Sequence, residues 1–243
     1  SLLPLGGTTT AEINGGLSTT IAPAKVDFLW WQGDFTTVTG NASDVTNLMP
    51  MEILNNGEVD DEGYILLYVN EFKKGNVGLV AYDVDGEILW TWHIWFTDKP
   101  ADLQTGNYTF MDRNLGATSA TPGDVGALGL LYQWGRKDPF LGSSSISSNT
   151  DAKSTITWPS VVESNSSNGT IEYATKNPTT FISGSSSTSY DWHYSSRDNT
   201  LWTTSDKTKS IYDPCPPGWR VPDGDGSGVW SKALGSSSQF VHK

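Results

Sequence analysis

The chain has one cysteine in 243 residues, Cys215. No disulfide can form within it, so a disulfide-stapled scaffold is excluded, and a zinc site built from cysteines alone is excluded with it. Histidine is nearly as scarce: His93, His193 and His242 are the only three. No stretch approaches the roughly 18 consecutive apolar residues of a membrane-spanning helix. No basic segment leading into an apolar core opens the chain in the manner of a secretory signal. Basic residues are few, 15 Lys and Arg against 27 Asp and Glu, for a net charge of −12. That balance argues against a nucleic-acid partner, because affinity for a phosphate backbone draws on Lys and Arg. It argues equally against a polybasic membrane-surface protein. Charged residues of both signs reach only 17%, below the about 25% of an average soluble domain.

What the chain has instead is rings. Aromatics make up 12%, and 11 residues are Trp, a content that excludes a disordered chain or a coiled coil. Few charges with many aromatics, Gly, Ser and Thr fit a secreted or surface-displayed β protein. The length allows one large β-rich domain or two of about 100–150 residues.

Strand signals dominate the first hundred residues. Lys25 to Gln32 predicts a strand, as do Tyr64 to Val69 after the Asp60-Asp61-Glu62-Gly63 turn, and Val77 to Tyr82. Asp83-Val84-Asp85-Gly86 then predicts a tight hairpin turn into Glu87 to Phe96. By the period-2 rule Trp90, Trp92, Ile94 and Phe96 share one face of that arm, and Leu89, Thr91, His93 and Trp95 share the other. Rings on both faces predict a central strand covered on both sides. In the second half, Gly126 to Gly135 predicts a short helix or buried turn. Leu141 to Ser189, rich in Ser, Thr and Asn, predicts long surface loops anchored by Trp158, Tyr173 and Phe181, with a strand at Thr155 to Val162.

Catalytic motifs are missing. There is no Gly-x-Ser-x-Gly, no His-Glu-x-x-His and no glycine-rich phosphate loop. His93, in a Trp-rich strand, reads as a hydrogen-bonded core histidine. His193, in Tyr190-Asp191-Trp192-His193-Tyr194, reads as structural or as a ligand contact. Cys215 lies between Pro214 and Pro216 with Arg220 as the nearby cation, too little to hold a thiolate. Among so many acids, sequence cannot pick a glycosidase pair. We therefore expect no enzyme.

Two features point to ligands. Asp223-Gly224-Asp225-Gly226-Ser227-Gly228 matches the first half of a Ca²⁺ loop, but Leu234 stands where an EF-hand needs its bidentate acid. Either it is a solvated turn, or Asp223 and Asp225 belong to a Ca²⁺ site completed from elsewhere. The aromatics point to carbohydrate, since indole and phenol faces stack on sugar C–H faces. Trp134, Trp192, Tyr194, Trp202 and Trp219 are each either core or site. Four Asn-x-Ser/Thr sequons (Asn41, Asn107, Asn165, Asn168) mark exposure.

Three stretches together resemble a known family. They are Gly86 to Trp95 leading into Met111-Asp112-Arg113-Asn114-Leu115-Gly116-Ala117; Gly129 to Phe140, with Tyr132-Gln133-Trp134-Gly135-Arg136; and Tyr212-Asp213-Pro214-Cys215-Pro216-Pro217-Gly218-Trp219-Arg220-Val221-Pro222. The set is similar to fimbrillin-family surface proteins of Bacteroides-type bacteria, and its second half to the Fibrobacter succinogenes major paralogous domain. The resemblance covers about residues 60–235. It implies a β-rich chain: an N-terminal antiparallel β-sandwich-like region over residues 1–100, then an α+β C-type-lectin-like domain with long loops over 101–243. The paired cysteines and the Glu-Pro-Asn and Trp-Asn-Asp motifs of C-type lectins are absent. The family's domain also runs further than this chain, so closing strands are expected to be missing or supplied by a neighbour.

The expected function is that of a non-catalytic cell-surface or secreted protein in adhesion or glycan recognition, a pilus- or adhesin-associated role. Its partner would be a surface glycan, a host or bacterial surface protein, or other pilus subunits. The alternatives are a structural pilus subunit without a glycan ligand and an accessory carbohydrate-binding module of a secreted glycan-degrading system. The expected ligand site is Trp192, Tyr194, Arg197 and Asp198. Signal and anchor would lie outside this chain, which lacks an initiator Met and reads as a fragment.

Overall fold

The computed structural model describes residues 21, 23–33, 52–54, 64–66, 73–142, 145, 160–194, 198–223, 228, 229 and 232. Its strands are β1 (Lys25–Gly33), β2 (Glu52–Leu54), β3 (Tyr64–Leu66), β4 (Gly75–Tyr82), β5 (Ile88–Phe96), β6 (Asp102–Thr105), β7 (Tyr108–Met111), β8 (Leu130–Tyr132), β9 (Pro139–Leu141), β10 (Val162–Glu163) and β11 (Ile182–Ser183); a helix, α1, spans Ile171–Lys176. The chain is β-rich, and its sheets are antiparallel apart from the β10–β11 pair.

The largest sheet has three strands in the order β1-β4-β5. The predicted hairpin forms the β4–β5 half. The Asp83 carboxylate accepts from the amides of Asp85 (2.9 Å) and Glu87 (2.8 Å), and Gly86 supplies the left-handed residue at φ +83°. β4 is buried along almost its whole length. Its small residues explain why it takes the centre. Gly78 pairs with Trp30 of β1, and a Cβ at that position would come within 2.4 Å of the Trp30 indole nitrogen.

β5 is therefore an edge strand of the described sheet and not its centre, contrary to the reading of its rings. Both its faces are covered all the same. Trp90 and Trp92 face the core formed by the second half. On the other face His93 stacks on Trp30 at 6.0 Å, and the Trp95 indole donates to the Ala117 carbonyl at 3.0 Å. The open edge is met by a side chain: the Lys137 ammonium donates to the Thr91 carbonyl at 3.1 Å and lies 4.3 Å from the Trp90 ring centroid. Asp138 pairs with the same ammonium at 2.8 Å and accepts from the Thr91 hydroxyl.

Buried rings from both sides of residue 100 share one cluster, which joins Trp90 of β5 to Ala174, Ile182, Trp192, Leu201, Trp202 and Tyr212.

Two further local expectations change. Gly126 to Gly135 is a 3₁₀ turn over Val125–Ala127 followed by β8. Asp124 caps that turn, and the left-handed Gly129 (φ +70°) ends it too soon for a helix. The long Ser/Thr-rich stretch contains α1. Its Thr170 hydroxyl accepts from the Tyr173 amide at 3.1 Å, Glu172 pairs with Lys176 at 3.1 Å, and Asn177-Pro178 stops it. The expected strand over Thr155 to Val162 lies mostly outside the described residues, as do Trp158 and the Asp60-Asp61-Glu62-Gly63 turn. Among the described residues no helix is long and apolar enough to cross a membrane.

Candidate functional site

The site is built outward from a buried cation. Arg136 is 2% exposed. Its guanidinium donates to the Thr180 carbonyl (2.7 Å), to the Asn177 carbonyl (3.1 Å), and to the Ala174 and Pro178 carbonyls (3.3 and 3.4 Å). They lie at the end of α1 and in the turn after it, where the Asn177 carbonyl also accepts from the Thr180 amide (3.1 Å), so Arg136 closes the helix C-terminus. Burial lowers its pKa to about 10, and Asp138 opposes that shift, so it stays cationic at neutral pH. Gln133, one turn before it, bonds Arg136 at 2.8 Å. Gln133 also accepts from the Ile182 amide (3.2 Å) and donates to the Ile182 carbonyl (2.8 Å). One side chain thus occupies the place of a strand beside β11.

Trp134 and Phe181 flank that bridge. Trp134 is 41% exposed and Phe181 42% exposed. Each is backed by a buried ring: Trp134 by Trp202 at 4.8 Å between centroids, Phe181 by Phe140 at 5.4 Å. The Trp202 indole donates to the Arg136 carbonyl (2.9 Å), and the Trp192 indole to the Trp134 carbonyl. Trp134 therefore presents its outer side from a fixed base.

The third ring is Tyr190, 79% exposed and held at φ +61°. A bulky residue rarely takes this left-handed conformation. It is kept there by bonds from the Tyr190 amide to the Ser185 carbonyl (2.8 Å) and from the Asp191 amide to the Thr188 carbonyl (3.0 Å). Gly184 makes room, because a Cβ on it would lie 2.3 Å from the Tyr190 carbonyl carbon. These three rings line a cleft of about 920 Å³ whose polar members include Asn199, Thr203, Lys207 and Asp223. The volume suits a ligand of several rings. Among the described residues three non-glycine positions have left-handed φ, Ser189, Tyr190 and Lys207 (φ +70°), and the last two both line this cleft.

The predicted site residues are scattered by the fold. Trp192, 4% exposed, is a core ring that lines the floor of the cleft; its neighbours in sequence gave no sign that the chain turns it inward. Tyr194 is exposed, but its amide bonds the Gly169 carbonyl (2.9 Å), and it stands beside the Asn165–Gly169 turn, outside the cleft lining. Asp198 accepts from the Thr200 amide (2.8 Å) and hydroxyl (2.6 Å) in a local turn. Arg197 and Asp225 lie outside the described residues. Trp202 is core and Trp219 half-buried.

Asp223 does reach the cleft rim, where two cations hold it. Arg220 approaches at 3.3 and 3.4 Å and Lys207 at 3.5 Å, and the Arg220 bonds keep its pKa below the usual carboxylate range. A Ca²⁺ ion would have to displace both. Among the described residues, which do not include Asp225, no group of three or more acidic, His or Cys side chains is placed to hold a metal.

The remaining reactive groups are engaged structurally. Burial raises the Cys215 thiol above its ordinary pKa, which disfavours the thiolate. His93 bonds Asn76 through Nε2 (2.9 Å), and its Nδ1 lies 3.4 Å from the Tyr132 hydroxyl. The sequence gave partial access to the cleft: Trp134 was a candidate ring and Phe181 an anchor. Tyr190 and Lys207 carried no signal, because their backbone conformation is imposed by the turns around them.

No family model, no curated protein and no solved structure gives a significant match to this chain.

Proposed function

We propose that the chain is a non-catalytic cell-surface protein, fimbrillin-like with a C-type-lectin-like second half, that binds a glycan in the cleft of Trp134, Phe181 and Tyr190. The observation that carries the reading is the pair of ring-backed, half-exposed aromatics joined in one cleft by a solvent-facing Tyr190. Rigid aromatic faces beside hydroxyl and amide groups suit sugars, whose C–H faces stack while their hydroxyls bond. Core packing gives no reason to hold Tyr190 left-handed, since its ring is in solvent. The non-catalytic reading is supported by the engagement of His93 and by a thiol that burial keeps protonated.

The test is a glycan array probed with the whole chain, once with Ca²⁺ and once with EDTA. Binding is expected in both conditions, because Arg220 and Lys207 occupy the Asp223 carboxylate. Tyr190→Ala should weaken it by about tenfold or more. A folded chain that binds no glycan under either condition overturns the proposal. Binding that requires Ca²⁺ would transfer the site to Asp223 and Asp225.

A further inference from the structure

We infer that the cleft takes an anionic oligosaccharide, whose carboxylate or sulfate group receives the Lys207 ammonium from Asp223. The inference rests on the glycan reading above and names the class of sugar.

The net charge of −12 makes the surface as a whole repel anions. The described lining of the cleft carries Lys207 beside two acids, Asp191 and Asp223, each of which has its own partner. Lys207 is the one cation among the described lining residues. The Lys207 side chain is largely exposed, and its link to Asp223, at 3.5 Å, is a surface ion pair of the weak kind. Asp223 does not depend on it, because Arg220 holds the same carboxylate with two bonds. When Lys207 turns to a ligand, Asp223 keeps a countercharge and no acid is stranded. The other acid in the lining, Asp191, is buried and accepts from the His193 amide at 3.1 Å, so it is committed to its own turn.

Backbone conformation places the ammonium. Lys207 sits at φ +70° in a turn closed by its amide on the Thr204 carbonyl (2.9 Å) and by the Thr208 amide on the Thr204 hydroxyl (3.1 Å). Tyr190 is held in the same unusual region on the same cleft. The two left-handed residues that line this cleft are thus a ring and a cation, the pair an acidic sugar needs.

The experiment is calorimetric titration of the whole chain with tetragalacturonate, with its fully methyl-esterified form, and with a carrageenan tetrasaccharide bearing sulfate and no carboxylate. At low salt at least one acid should bind about tenfold tighter than the neutral ester, with the gap narrowing as salt rises. Which of the two acids binds identifies the anion. Lys207→Gln should erase the gap. Asp223→Asn should widen the gap, because the competing carboxylate is gone. Misfolding cannot produce both opposite effects. An ester that binds as tightly as the acids, or a gap that survives Lys207→Gln, overturns the inference and leaves the glycan reading standing. Binding of no sugar by the folded chain overturns both.

Discussion

In the sheet of β1, β4 and β5, backbone amides meet backbone carbonyls rung after rung. In residues 160–223 side chains take over that office. Arg136 serves carbonyls of four residues, and Gln133 stands in for a strand beside Ile182. Ser164 donates to the Trp192 carbonyl at 2.6 Å, and Asp213 accepts from the amides of Cys215 and Val221 at 2.8 and 2.9 Å. The two regions share one core, yet they differ in how damage spreads. A ladder distributes its bonds, so one lost rung is one lost bond. A hub concentrates them, so one lost side chain orphans several buried carbonyls at once.

Removing the hub should give the largest effect. Arg136→Met keeps an apolar stem and leaves the carbonyls of Thr180, Ala174 and Pro178 without this donor, while Asn177 keeps the Thr180 amide. A loss of about 3–5 kcal/mol is expected in urea unfolding, within the range seen when a buried charged group that serves several partners is removed. Because Trp90 belongs to the same cluster as Trp192 and Trp202, the sheet should melt with the loops in one transition. A cost below about 1 kcal/mol, or a sheet that outlives the loops, would break the contrast between hub and ladder.

The next effect lies where the two regions meet. His93 belongs to the sheet, but Nδ1 faces Tyr132 while Nε2 meets Asn76 of β4. Burial, the dominant cause, lowers its pKa to about 4, against a smaller opposite pull from Asp138. Below pH 6.5 the unfolded chain takes up a proton that the folded chain refuses until about pH 4. The stabilisation from His93 is therefore complete above pH 6.5 and is lost as pH falls through that window. Because the residue as a whole is only half-buried, the loss is expected to be at most about 2 kcal/mol. Urea midpoints measured between pH 4 and 7.5 check the sign. His93→Gln should flatten the slope in that window, and an unchanged slope would show that other groups set it.

How much of this was legible in the sequence follows the same division. β1, β4, β5 and the Asp83–Gly86 turn are local patterns, in which alternation and one turn residue fix a structure within about ten positions. Gln133 meets Ile182 across 49 positions, and Arg136 meets Thr180 across 44. No periodicity encodes such pairings, and nothing in a Gln or an Arg declares which carbonyl it will reach. The rings show the same limit. Eleven tryptophans announced aromatic chemistry. Whether Trp192 or Trp134 would face solvent depended on which neighbour took the buried place. Trp192 was the expected site residue and became the floor, because its indole supports the Trp134 backbone. Edge and centre were confused in β5 for a related reason. Rings on two faces reveal that both are covered, but not whether a strand or a lysine closes the edge.

The smallest effect should carry the opposite sign. A non-glycine residue in the left-handed region costs about 1–2 kcal/mol, and a glycine placed there avoids that cost but gives the unfolded chain about 0.5–1 kcal/mol more freedom. The Tyr190 ring, 79% exposed, adds little burial to set against this. Tyr190→Gly should therefore fold as well as the parent or about 0.5 kcal/mol more stably, while glycan binding is lost. Thermal unfolding and the glycan titration, run on the same sample, separate the two effects. A fall in stability of more than about 1 kcal/mol would mean that the phenol packs within the fold, and Tyr190 would then belong with Arg136 among the groups that hold the loops. A gain in stability with binding intact would leave the strain at this position without a purpose in the cleft. Only higher or equal stability together with lost binding fits a residue that the loops hold in an unfavourable conformation for the ligand's sake.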